Sequence, residues 1–180
     1  MSGIRKISEE VFVTEGGFLE VAGAQIEFLK EQAAKSPRHR ARICAHPGNE
    51  SRIHEMLIVL TDQVYIRPHK HLKKSESFHV VEGSAMVIYF KDSGEIAEVI
   101  QVGDAASGRP FYFRNEDERF HMQIITSRFL VFHEVTDGPF NRADTVFAPW
   151  SPDESHPGVA GPFLEELKAR ANEYLAHGRK

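Results

Sequence analysis

Two histidines stand two residues apart in this chain, followed by a glutamate and a glycine: Pro68-His69-Lys70-His71-Leu72-Lys73-Lys74-Ser75-Glu76, then Gly83. On a β-strand such a pair shares one face, about 6.6–6.8 Å apart along the backbone, so both imidazoles can turn to one ion. Leu72–Ser75 can reverse the chain so that Glu76 opens an adjacent antiparallel strand, and Gly83 permits the next tight turn. A fourth ligand must come from elsewhere. His121 can supply it from a later strand, behind the charged loop Arg114–Arg119. Three imidazoles and one carboxylate suit zinc, iron, manganese, nickel or cobalt, with geometry choosing among them. A lone His-x-His pair is more often two satisfied histidines on a half-exposed strand. Glu76, Gly83 and His121 turn the reading to a metal site, because four polar groups facing a barrel interior without an ion would cost on the order of a few kcal/mol each.

Alternation along the same segment puts Tyr65 and Arg67 in phase with His69 and His71. Arg67 could hold an anionic group of a substrate and Tyr65 could donate a proton, as the one candidate catalytic side chain; the alternative is a core tyrosine and an ion-paired arginine. Phe111-Tyr112-Phe113 reads as core or pocket wall, with Tyr112 a candidate substrate contact. Arg38, Arg40 and Arg42 alternate. They form either a phosphate clamp or, the favoured reading, a solvated edge that guards against aggregation. His79 is out of phase with Glu76 and belongs on an outer face or a subunit contact. His46, His54 and His133 are secondary pocket candidates, and His39, His156 and His177 lie in polar sequence. Cys44 reads as a buried small hydrophobe.

These groups need a scaffold of strands. Met56–Leu60, Val64–Arg67, Phe78–Val81, Met86–Phe90, Ile96–Val102, Phe120–Thr126 and Phe129–Val135 are short, β-branched and aromatic, and turn residues separate them. No helical crossover is visible between them, which predicts an antiparallel sandwich or barrel. Helical periodicity places a helix at about 23–35, ended by Pro37, and a second at 163–176, opened by Pro162. The expected organisation is one structural domain: an N-terminal strand and helix extension over 1–39, a barrel over 40–136, and a wrapping segment with a C-terminal helix over 137–180.

The motif His69-x-His71-x4-Glu76-x6-Gly83 resembles the first signature of the cupin superfamily, whose second motif supplies a last ligand that aligns with His121. Ser36–His46, Glu55–Ile58, Tyr65–Leu72, Ser75–Gly83, Phe132-His-Glu134, Gly138-Pro-Phe140 and Phe147-Ala-Pro-Trp150 further resemble the WbuC-type cupin metalloproteins, over nearly the whole chain to about Trp150. The resemblance implies a mainly β cupin barrel or jelly roll and one divalent metal ion. It also implies a link to bacterial surface-polysaccharide metabolism, with no defined reaction. Two positions depart from the general motifs. Gln63 stands where the first begins with glycine, and Glu116 and Glu118 occupy the Pro-x-Gly places before the second histidine.

The leading expectation is a metal-binding cupin that binds or acts on a small polar ligand, a sugar or sugar nucleotide, with the metal as Lewis acid in isomerase or epimerase chemistry. The rivals are a non-catalytic sensing cupin, an oxygen-dependent dioxygenase on the same three-histidine, one-glutamate set, and a metal-free barrel using histidines as acid–base groups. The chain of 180 residues carries a net charge of -4, which argues against nucleic-acid binding, and its apolar runs are too short to span a membrane. A single cysteine and no export signal point to the cytoplasm. A homodimer through edge strands is expected. No P-loop, dinucleotide-binding or Gly-x-Ser-x-Gly motif is present, and one cysteine excludes zinc-finger spacing.

Overall fold

β7 (Ser84–Phe90) and β4 (Ile53–Thr61) explain the architecture, because each is apolar on both faces. A strand with two buried faces must lie between other layers. Ala85, Val87 and Tyr89 of β7 meet Met56, Ile58 and Leu60 of β4 in a central core. Met86, Ile88 and Phe90 turn instead to α2 (Pro157–Ala176), through Leu164, Leu167 and Ala171. On the opposite side, Leu57 and Val59 of β4 pack under Leu29 and Ala33 of α1 (Gly23–Lys35). The computed structural model, which describes residues 3–177, is therefore four layers deep: helix, sheet, sheet, helix. Burial of each large apolar side chain in these layers stabilises the fold by about 1.5–3 kcal/mol.

One sheet runs in the order β1 (Ile4–Lys6), β2 (Val11–Thr14), β3 (Arg40–Cys44), β4, β11 (Phe129–Asp137), β6 (Glu76–Glu82), β9 (Tyr112–Asn115). The other runs β12 (Thr145–Phe147), β5 (His69–His71), β10 (Phe120–Ile125), β7, β8 (Ile96–Gly103). The mainly β, two-sheet class with a helix at each end is as the sequence indicates. The pairing is antiparallel except between β2 and β3, which run parallel. That pair has α1 as its crossover, so a helical connection that the strand pattern does not reveal does exist, inside residues 1–39.

Two further expectations need correction. Val64–Arg67 is extended but joins no ladder. It follows a Thr61 turn and leads into Pro68, whose backbone has no N–H to donate. The C-terminal helix begins at Pro157, not Pro162. Pro157 takes the first helical position, where its missing N–H is harmless, while Pro162 sits inside the helix at the loss of one backbone hydrogen bond.

Candidate metal centre

β5 is only three residues long and is held on both sides. His69 pairs with His121 of β10, while Thr145, Val146 and Phe147 of β12 pair with His71, Lys70 and His69. The pairing brings a remote histidine beside the adjacent two. Ligand nitrogens of His69, His71 and His121 lie within 4.8 Å of one another. The ring centroids are 4.8 Å apart for His69–His71 and His69–His121, and 5.7 Å for His71–His121. Glu76, buried at the start of β6, completes the group. Its Oε1 lies 3.0 Å from Nε2 of His71 and its Oε2 3.5 Å from Nε2 of His121.

Backbone contacts set the orientation of the rings. Nδ1 of His69 donates to the carbonyl of Arg67 at 2.8 Å, and Nδ1 of His121 to the carbonyl of Arg119 at 3.0 Å. A carbonyl only accepts, so in the neutral form of either ring Nε2 carries a lone pair aimed into the cluster. Nδ1 of His71 meets the Thr145 hydroxyl at 3.2 Å. Glu76 Oε2 is buried without a hydrogen-bond partner. Lone pairs and a carboxylate oxygen facing one another leave an electron-rich space, and a cation there would satisfy all of them. Burial alone would raise the Glu76 carboxyl, but the His121 and His71 imidazoles beside it outweigh burial and hold the group well below the usual carboxylate range. Burial, then the neighbouring His121 and His71, pushes His69 down to about 4, which keeps its imidazole neutral and able to ligate.

The other expected site residues lie elsewhere. Tyr65 packs edge-on against Phe163 of α2, and its hydroxyl donates to the Pro152 carbonyl at 3.0 Å. Arg67 ion-pairs with Asp153 at 2.8 Å, donates to Ser151, and lies over the Phe147 ring. Neither borders the cavity that opens on the histidines. Strand parity failed because residues 64–68 form no ladder, so side-chain alternation is not carried into β5. Tyr112 is 55% exposed on β9, opposite His79, and is no part of the cavity wall.

That cavity, about 790 Å³, lies between the sheets. Its wall contains a carboxyl that the sequence motifs do not single out, Glu134 of β11. Register puts Glu134 in one cross-strand row with Cys44, Met56 and Phe78. A signal for it exists in the sequence: Phe132, Glu134 and Thr136 share parity, as do His121 and Gln123. Burial among apolar neighbours, then the charge of Glu76, pushes Glu134 up to about 8. His46 and His54 also border the cavity, their ring centroids 4.1 Å apart and their planes tilted by 34°, while His133 is not part of its wall. Cys44 is buried and burial raises its thiol, which suits a packing role.

The Glu134 shift has a sign that can be measured. A carboxyl whose folded value is raised holds its proton more tightly in the folded state. The stability this gives is present below the ordinary carboxylate value of 4.5 and is lost as pH rises from there through 8. Glu134→Gln, which cannot ionise, should therefore gain stability over the parent across that window, at a slope approaching about 1.4 kcal/mol per pH unit. Urea titrations of both proteins in chelator at pH 5, 6, 7 and 8 measure it, and parallel curves would contradict the placement of this group.

A family model described as a domain of unknown function, DUF6016, matches residues 21–102. No curated protein matches the chain. Among solved structures, protein SO0799 from Shewanella oneidensis superposes with a TM-score of 0.54 at 12% identity, covering 83% of this chain and 96% of its own. That likeness is one of fold. CapF, the capsular polysaccharide assembling protein of Staphylococcus aureus, matches with a TM-score of 0.44 at 17% identity, over 54% of this chain and 27% of CapF. Oxalate decarboxylase from Bacillus subtilis matches at 0.44 and 19%, over 66% of this chain and 31% of the enzyme. This chain thus spans less than a third of either of those two chains. Among the described residues, no helix is long and apolar enough to cross a membrane.

Proposed function

We propose that this chain is a cupin metalloprotein of the WbuC type in which His69, His71, Glu76 and His121 hold one divalent ion and the cavity beside them takes a small polar ligand, a sugar or sugar nucleotide of surface-polysaccharide metabolism. The observation that carries the reading is the convergence of two fixed Nε2 lone pairs and an unpartnered Glu76 oxygen on one point. When bound, the ion would supply Lewis acidity to a carbonyl or hydroxyl oxygen. The chain's own residues would do the rest. The Arg67 and Arg119 carbonyls hold two imidazoles in the ligating tautomer. The two sheets exclude bulk water from the cavity's inner end. Glu134, whose carboxyl is raised by burial and by the charge of Glu76, can donate a hydrogen bond or a proton into the cavity when protonated, the role that Tyr65 is too remote to play. Outer strands β1, β9, β12 and β8 leave sheet edges at which a second copy could add, in keeping with a homodimer.

Elemental analysis of protein purified without added metal tests this reading. About one equivalent of a transition metal is expected in the parent and none in a His69→Ala, His121→Ala double variant. Absence of metal from the parent, with a thermal midpoint indifferent to chelator, would remove the proposal. The identity of the ion then separates oxygen chemistry, which needs iron or another redox metal, from zinc-based Lewis-acid work.

A further inference from the structure

The charges around the cavity are not equivalent. Among the described residues, Arg5, Arg38, Arg40, Arg42 and Lys74 are the lysines and arginines that border it. Arg5 pairs with Glu15. Arg38 and Arg40 are each engaged by both Glu10 and Glu154, at 2.6–3.5 Å, so these two are fixed as a clasp between the N-terminal hairpin, β3 and the segment before α2. Arg42 and Lys74 have no carboxylate partner among the described residues. Both act electrostatically on Glu134, which forms an ion pair with neither. Lys74 borders the cavity with its Nζ 5.5 Å from the centroid of the Phe140 ring, which also lines it. Arg42 reaches the cavity from β3, where Ala41 and Ile43 turn to α1 and Arg40, Arg42 and Cys44 take the opposite face.

We propose that Arg42, with Lys74, forms an anion subsite in this cavity, so that the ligand carries a carboxylate or a phosphate in addition to the neutral polar part that faces the histidines. This deepens the sugar reading above and rests on it for the second half of the ligand only. The physical case is one of unspent charge. An arginine with five donors in a planar fork fits a carboxylate or phosphate in two parallel hydrogen bonds, and a lysine adds a point charge. The nearby Arg38 and Arg40 show how this chain treats arginines that tie elements together, since each meets two carboxylates. Arg42 meets none and stands at the cavity.

Three probes of similar size test the subsite by calorimetry: glucose 1-phosphate, glucuronate and glucose. Each is titrated into the full-length parent, Arg42→Gln and Lys74→Gln, both metal-loaded and chelated, with metal content measured separately. One or both anionic probes should bind the parent at least about ten-fold tighter than glucose, the better of the two showing whether phosphate or carboxylate is preferred. Arg42→Gln should erase that preference while its metal content stays at the parent's level. If Arg42→Gln fails to fold, Lys74→Gln carries the same test with the same expected loss. No preference for the anionic probes, including no binding of any probe, overturns the inference, as does a preference that survives the substitution. Failure of the metal reading would show instead as missing metal with the anion preference intact in chelator.

Discussion

Chelating the metal-loaded protein should lower its thermal midpoint by about 8–16 °C. An ion present at a thousand times its dissociation constant stabilises the folded state by about 4.1 kcal/mol, and in a domain of this size each kcal/mol moves the midpoint by about 2–4 °C. The structure concentrates that effect at β5. Without an ion, the lone pairs of His69 and His121 and the Glu76 carboxylate crowd one buried space. His121→Ala should abolish the response to chelator, because it removes the ligand that joins β10 to β5. Thr145→Val removes only the hydroxyl behind His71, so it should keep the response and weaken metal affinity by about 10–100-fold. Scanning calorimetry with and without chelator decides this, and a midpoint that does not move in the parent would refute the metal assignment.

The second large effect is expected at Gly83. This residue turns β6 into β7 at a φ of +87°, a region costly for side chains with a Cβ. A Cβ built there would lie 2.1 Å from the Phe129 carbonyl oxygen and 2.5 Å from the Ser127 hydroxyl oxygen. The carbonyl belongs to a ladder strand and cannot swing away without breaking the sheet. Gly83→Val should therefore cost about 3 kcal/mol or more, a fall of about 6–12 °C or more in midpoint. Gly94→Ala makes a useful contrast: its φ is also +87°, but its Cβ would meet the Trp150 ring at 3.0 Å, a side chain and not a ladder carbonyl. The Gly83 variant falling no further than the Gly94 variant would show that the close carbonyl is not what constrains the turn.

The hairpin that carries His69, His71 and Glu76 is legible in the sequence because its information is local. Two histidines at spacing two, a four-residue turn and a glutamate fix their own geometry within eight residues, and the late histidine adds only a register. α1 is legible for the same reason, at Gly23–Lys35. Tyr65 and Arg67 are misplaced by alternation because alternation is a property of ladders, and the ladder starts only at His69. Glu134 escapes a motif search because its role depends on which strands flank β11. β4 and β6 surround it with Met56 and Phe78, and neither neighbour is near it in sequence. The three alternating arginines are alike in their local sequence. Only the distant Glu10 and Glu154 separate Arg38 and Arg40, which are clasped, from Arg42, which is not.

β12 gives the C-terminal third of the chain an unexpected hold on chemistry. Thr145 steadies His71, and Thr145–Phe147 is the outer neighbour of a strand that has only one paired position with β10. Docking of the tail and capture of the ion would then share one equilibrium. Whatever loosens the strap around Thr145 would be felt as weaker coordination, and filling the centre would in turn fasten the tail, although the proposed ligands end at His121.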